Sequence, residues 1–112
     1  IMAATANLVI EQGTSFSSGI TVKGSDGNPF DLTGYTATAN MAKGFASTYS
    51  RQALTVEFSN DRTTGVVNLS LTPAQTTALD APARYVYDCD ITASGGTVTR
   101  VIEGLITVKP NV

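Results

Sequence analysis

The sequence predicts an all-β fold, an immunoglobulin-like antiparallel sandwich of about seven strands. Three observations predict it. Short segments with a period-two alternation of apolar and polar residues recur along the chain, separated by turn-forming residues. Charged residues make up only 14% of the chain, and threonine and serine stand in their place; β-branched threonine suits the outer face of a strand. The stretch Leu79 to Ile91 reads as strand F of such a sandwich, with Tyr87 two residues before Cys89, the spacing of a tyrosine corner and its core cysteine. Cys89 is the only cysteine, so no inter-sheet disulfide can form and packing alone must hold the sheets together.

Taken in order, residues 1–6 carry no strong pattern and are expected to be a flexible arm. Ile1 ahead of Met2 reads as a leftover residue, with the natural start at Met2. Residues 7–112 are expected to form one domain. Asn7–Glu11 is the first strand, closed by Gly13, and Phe16–Lys23 the second. Gly24–Pro29 is dense in turn chemistry, with Pro29 expected to stop pairing. From Tyr35 to Ala42 the alternation places Tyr35, Ala37, Ala39 and Met41 toward the core. In Ala53–Phe58 the inward residues are Leu54, Val56 and Phe58; after a hairpin loop over 60–65, they are Val67, Leu69 and Leu71. Thr72, Pro73 and Gln75 have the pattern of a capping box with proline at the first helical position, which predicts a short helical turn over about Pro73–Leu79. Strand F then points Tyr85, Tyr87, Cys89 and Ile91 inward. A last strand runs from about Thr97 to Lys109, and Gly104 inside it marks either a bulge or the close approach of another backbone.

Bulk properties narrow the function. Net charge is −2 and no segment is basic, so phosphate backbones have no clustered partner and nucleic acid is not an expected ligand. No apolar run approaches the ~18 residues of a membrane span, and no signal peptide is visible. Histidine is absent, which removes the commonest general base and metal ligand. No enzyme, metal or cofactor is expected.

A few individual residues are candidates for chemistry. Asp88 and Asp90 share an outward face about 7 Å apart, and a cross-strand pair with Arg100 on the last strand explains them better than a metal site. Cys89 has no histidine to activate it and reads as a small core residue. Tyr35, Tyr85 and Tyr87 read as core rather than as a sugar-stacking platform, with one hydroxyl, that of Tyr87, expected to bond backbone at the corner between strands E and F. Gly24–Gly27 is a turn and not a phosphate cradle. The segment Lys43–Arg51 carries two aromatics and two cations in an unpatterned stretch. Either Phe45, Tyr49 and Arg51 form a protein-contact surface or the aromatics fold back onto the core edge.

These residues carry a family resemblance. Asn7–Phe16, the run Asp31-Leu-Thr-Gly-Tyr-Thr-Ala37, Gly65 with Leu69-Ser-Leu71, Arg84-Tyr-Val-Tyr-Asp88 and Arg100-Val-Ile-Glu-Gly104 resemble small phage virion structural proteins with an Ig-like domain, of the cyanophage type and similar to the Ig-like domain of phage baseplate upper proteins. The resemblance implies a non-enzymatic structural module of the tail or baseplate, assembled in the host cytoplasm and joined to other virion proteins or to itself. A capsid decoration protein is the near alternative. A module for a host-surface receptor or glycan is a further one, disfavoured by the absence of tryptophan.

Overall fold

In a computed structural model, which describes residues 3–112, the alternating segments form strands in the expected order. They are β1 (Ala4–Thr5), β2 (Leu8–Glu11), β3 (Phe16–Thr21), β4 (Thr36–Ala42), β5 (Gln52–Phe58), β6 (Val66–Leu71), β7 (Ala83–Thr92) and β8 (Val98–Lys109). A 3-10 turn at Arg62–Thr64 precedes β6, and the helix α1 (Pro73–Thr77) bridges β6 and β7. The capping box forms as expected: Thr72 Oγ1 accepts from the Gln75 amide at 3.2 Å, and the Gln75 side chain accepts from the Thr72 amide at 2.9 Å.

The strands build two packed sheets, an immunoglobulin-like sandwich. The larger runs β8–β7–β4–β5, with β1 and β2 both on the outer edge of β8. The smaller runs β5–β6–β3. Strand β5 belongs to both: Gln52–Leu54 pair with β4, and Thr55–Phe58 pair with β6. A strand that switches sheets closes one side of the sandwich covalently and leaves fewer open edges to associate.

The core follows the alternation. Tyr85, Tyr87, Cys89 and Ile91 of β7 are buried against Val67, Leu69 and Leu71 of β6, with Met41, Ile102 and Ile106 filling the space between. Burying each large aliphatic side chain contributes about 1.5–3 kcal/mol, so a cluster of this size holds the sheets without a cross-link.

Three features differ from the sequence expectation. The arm expected over 1–6 lies partly outside the described residues, but Ala4 and Thr5 pair in parallel with Ile102 and Glu103. β2 is also parallel to β8, so the sandwich is antiparallel everywhere except along this edge. Short polar-apolar segments give no sign of pairing partner, and a two-residue strand is too brief for alternation to reveal. A bulge lies at Val101: Cys89 faces Ile102 while Asp90 faces Arg100, so Val101 is the extra residue and both Val101 and Ile102 point inward, whereas Gly104 marks the other alternative, the close approach of another backbone, that of Ala6. Pro29 does not end the pairing, because the bridge between Lys23 and Pro29 uses the Asn28 carbonyl and the Phe30 amide.

Candidate functional site

The connection between β4 and β5 brings its aromatics to the surface. Phe45 is 75% exposed and Tyr49 47% exposed, so the aromatics do not fold back into the core. Arg51 is not a free cation. Its guanidinium donates to the carbonyls of Phe45 at 3.2 Å, Ala46 at 2.9 Å and Tyr49 at 2.7 Å, which knots the loop around one side chain. The Tyr49 amide closes a turn on Ala46, and the Tyr49 ring lies against Gly44, where a Cβ would sit 2.7 Å from the ring. At the base of the loop Lys43 pairs with Asp80, and the hydrogen bond that its ammonium donates to the Asp80 carboxylate raises the Lys43 pKa above its ordinary value. The loop is therefore fastened both to itself and to the turn before β7.

Between the loop and that turn runs a groove of about 450 Å³, lined by Met41, Lys43, Tyr49, Arg51, Leu79 and Tyr85 among others. A smaller depression of about 50 Å³ on the outer sheet face is bounded by Phe45, Ala42, Val86 and Asp88. Of the three contact candidates, the structure brings Phe45 and Tyr49 to the surface and gives Arg51 the task of holding them.

The residues expected to be structural are also placed. Tyr87 and Cys89 are buried side by side on β7. Burial pushes the Cys89 thiol up to about 12, with the neighbouring Asp90 and Asp88 adding to it, so the thiolate that reaction would need is strongly disfavoured. The corner tyrosine is Tyr85, not Tyr87: its hydroxyl accepts from the Asp80 amide at 2.9 Å. Tyr87 sits one turn of the pleat further along β7, out of reach of the corner, and donates instead to the Ala6 carbonyl at 2.6 Å. Burial raises the Tyr87 hydroxyl to about 12, so it stays a donor. Gly104, opposite Tyr87 in register, is where the N-terminal segment crosses; a Cβ there would lie 2.2 Å from the Ala6 carbonyl oxygen. Tyr35 is half-buried and packs edge-on against Phe30, with ring centroids 5.6 Å apart.

Asp88 and Asp90 meet Arg100 at 3.2 Å and 3.6 Å, the cross-strand pair the spacing predicts. Desolvation first, then Asp90, raises the Asp88 carboxyl above its ordinary value, while Arg100 lowers it. Among the described residues no cluster of acidic or cysteine side chains is arranged to hold a metal ion.

Two residues escaped the sequence reading. Thr76 is fully buried, and its Oγ1 accepts from the Gly13 amide at 3.0 Å and donates to the Thr14 carbonyl at 2.8 Å, tying α1 to the β2–β3 turn. Arg62 stacks over Phe58 at 4.6 Å and donates to the Tyr35 carbonyl at 2.9 Å. The bonds of Thr76 to Gly13 and Thr14 and of Arg62 to Tyr35 join segments far apart in the chain and so leave no local signal.

Fold and site together define an immunoglobulin-like sandwich without a disulfide that presents one internally braced aromatic loop. Comparison with protein families finds no match, and none is found among curated proteins. Solved structures do match, 215 chains of them, which marks a fold too widely shared to carry a function. One is a chain from a crystal structure of a chicken TCR, 13% identical with a TM-score of 0.55. The match covers 96% of this chain and 56% of that one, so this chain spans little more than half its length. At that identity the likeness shows the immunoglobulin-like fold alone.

Proposed function

We propose that the chain is a non-enzymatic virion structural protein, an Ig-like module of the tail or baseplate that docks on another virion protein through the loop between β4 and β5. The sequence resemblance supports the virion setting. The single observation that carries the docking role is the exposed pair Phe45 and Tyr49 on a loop held rigid by Arg51. Exposed aromatics are costly to leave in water, and tyrosine is enriched where binding energy concentrates. Bracing by three carbonyl contacts removes much of the ordering cost that a flexible loop pays on binding.

The test is antibody-gold labelling of intact particles from the source that encodes this chain, with particles assembled on the native chain and on Phe45→Ala/Tyr49→Ala. Label at the tail or baseplate with the native chain, and its loss with the variant, is the expected result. Label over the head makes the chain a capsid decoration protein. Particles that carry neither label nor the protein by mass spectrometry overturn the virion reading. Label that persists with the variant overturns the docking loop.

A further inference from the structure

The outer face of the larger sheet carries an apolar row flanked by opposite charges. Leu105 and the half-buried Val86 stand in register across β8 and β7, and the row ends at β4 on Ala42, which is buried beside the β4–β5 loop. Val9 on β2 extends the row diagonally, since it faces Thr107, two residues beyond Leu105. Val9 is 53% and Leu105 38% exposed. On one side of the row lies Arg84, which makes no ion pair among the described residues. On the other side Asp88 and Glu103 face each other across the β7–β8 ladder, and Arg100 serves Asp88 and Asp90 but not Glu103. Like charges directly opposite in a ladder are destabilising, and an added cation relieves them.

We infer that this face takes a second copy of the chain, in a face-to-face dimer whose twofold axis lies along the row. Sheets pack face to face with their strands within about 30° of alignment, which leaves a parallel and an antiparallel choice. The parallel choice stacks Arg84 on Arg84 and Asp88 on Asp88. The antiparallel choice stacks Leu105 and Val86 on their own copies. It sets one copy's Arg84 over its partner's Asp88 and Glu103, and by symmetry the reverse contact forms as well. The charge pattern selects the antiparallel dimer. Three strands (β2, β8 and β7) ~4.8 Å apart and about six residues of ~3.3 Å give roughly 300 Å² of projected face. That is small beside the ~800 Å² per partner of a standard interface, so the dimer is weak and concentration-dependent. Phe45 of the β4–β5 loop borders this face beside Val86 and Asp88, but the inference rests on the row and its flanking charges and does not require the loop to dock on another virion protein.

The test is sedimentation velocity on the full chain across a concentration series into the millimolar range. The native chain is expected to move from 11.6 kDa toward twice that mass. Arg84→Glu alone and Asp88→Arg alone each place like charges at both symmetric contacts, and each is expected to weaken association at least about tenfold. Mixed one to one, they restore opposite charges at both contacts, and the mixture is expected to dimerise again. Thermal melts check that each variant folds, and Leu105→Lys, at an exposed position, breaks the row by a separate route. A native chain that stays monomeric overturns the inference and leaves the face to a different partner. A dimer unaffected by either single variant, or a mixture that fails to reassociate, overturns it too. Particle label that persists with Phe45→Ala/Tyr49→Ala, alongside dimerisation of the native chain, would overturn the loop alone, so the two readings fail separately.

Discussion

Gly104→Ala tests how the N-terminal segment is held. The added methyl would lie 2.2 Å from the Ala6 carbonyl oxygen and 3.1 Å from Asn7 Oδ1. A carbon settles about 3.3 Å from an oxygen, so the segment has to retreat by about 1 Å. Three hydrogen bonds cluster there: the Ala6 amide to the Glu103 carbonyl at 2.9 Å, the Tyr87 hydroxyl to the Ala6 carbonyl at 2.6 Å, and the Leu105 amide to Asn7 Oδ1 at 3.1 Å. Each contributes about 1 kcal/mol net, so losing all three costs about 3 kcal/mol. Alanine restricts the unfolded chain and returns roughly 0.4–1 kcal/mol, because the φ of Gly104 is one that alanine adopts freely. The net loss is about 2 kcal/mol, equivalent to about 10 °C in Tm for a domain of this size. Urea unfolding of Gly104→Ala, Tyr87→Phe and the double variant provides the assay. Tyr87→Phe alone should cost about 1 kcal/mol, and in the Gly104→Ala background almost nothing, since its bond is already broken. An unchanged or raised midpoint for Gly104→Ala, or strict additivity in the double variant, would refute the crossing as the restraint.

Cys89→Ser should destabilise by about 1–3 kcal/mol more than Cys89→Ala, because serine buries a hydroxyl in a site that the thiol fills as an apolar group; equal denaturation midpoints would contradict the inward facing of β7. Thr76→Val keeps the shape but leaves the Gly13 amide and the Thr14 carbonyl without their partner, at a cost of about 2 kcal/mol read by thermal melting. The Asp61 carboxyl accepts from the Thr63 hydroxyl first and the Thr63 amide second, and these bonds hold its pKa below 3.8. The unfolded chain therefore takes up this proton first as pH falls. The stabilisation is present above 3.8 and is lost as pH drops through the folded-state pKa. An NMR titration of the Thr63 amide should show a midpoint below 3.8, and a midpoint at or above it would contradict the turn.

What was legible in the sequence was whatever local pattern encodes. The alternation placed Leu69, Leu71, Cys89 and Ile91 in the core, because a strand face repeats every two residues whatever it packs against. The cap at Thr72 and Gln75 was legible for the same reason: both partners sit within one turn. The pair Asp88–Arg100 was legible because β7 and β8 form a hairpin. What failed was pairing between distant segments. Tyr85 and Tyr87 lie on one face with identical local patterning, and only the positions of Asp80 and Ala6 decide which hydroxyl bonds which backbone. Gly104 answered to the close approach of the Ala6 backbone, one of the two alternatives a strand glycine offers, while the Val101 bulge had no glycine to announce it, since a bulge needs an extra residue and not a missing side chain. At the loop, the exposure of Phe45 and Tyr49 speaks against the alternative in which the aromatics fold back onto the core edge. The inward turn of the Arg51 guanidinium onto its own loop had no signature in composition.

The parallel edge has a mechanical consequence. β1 and β2 run in the same direction as β8, with Ala4 beside Ile102 at one end and Glu11 beside Lys109 at the other. Tension that draws the residue before Ala4 and the residue after Lys109 apart pulls these neighbouring strands past each other along their length. The ladder and the Ala6, Asn7 and Gln12 bonds then lie across the load and must yield together rather than one after another. The edge acts as a shear clamp at both ends of the chain path, and the sandwich resists stretching far better than its equilibrium stability alone would suggest.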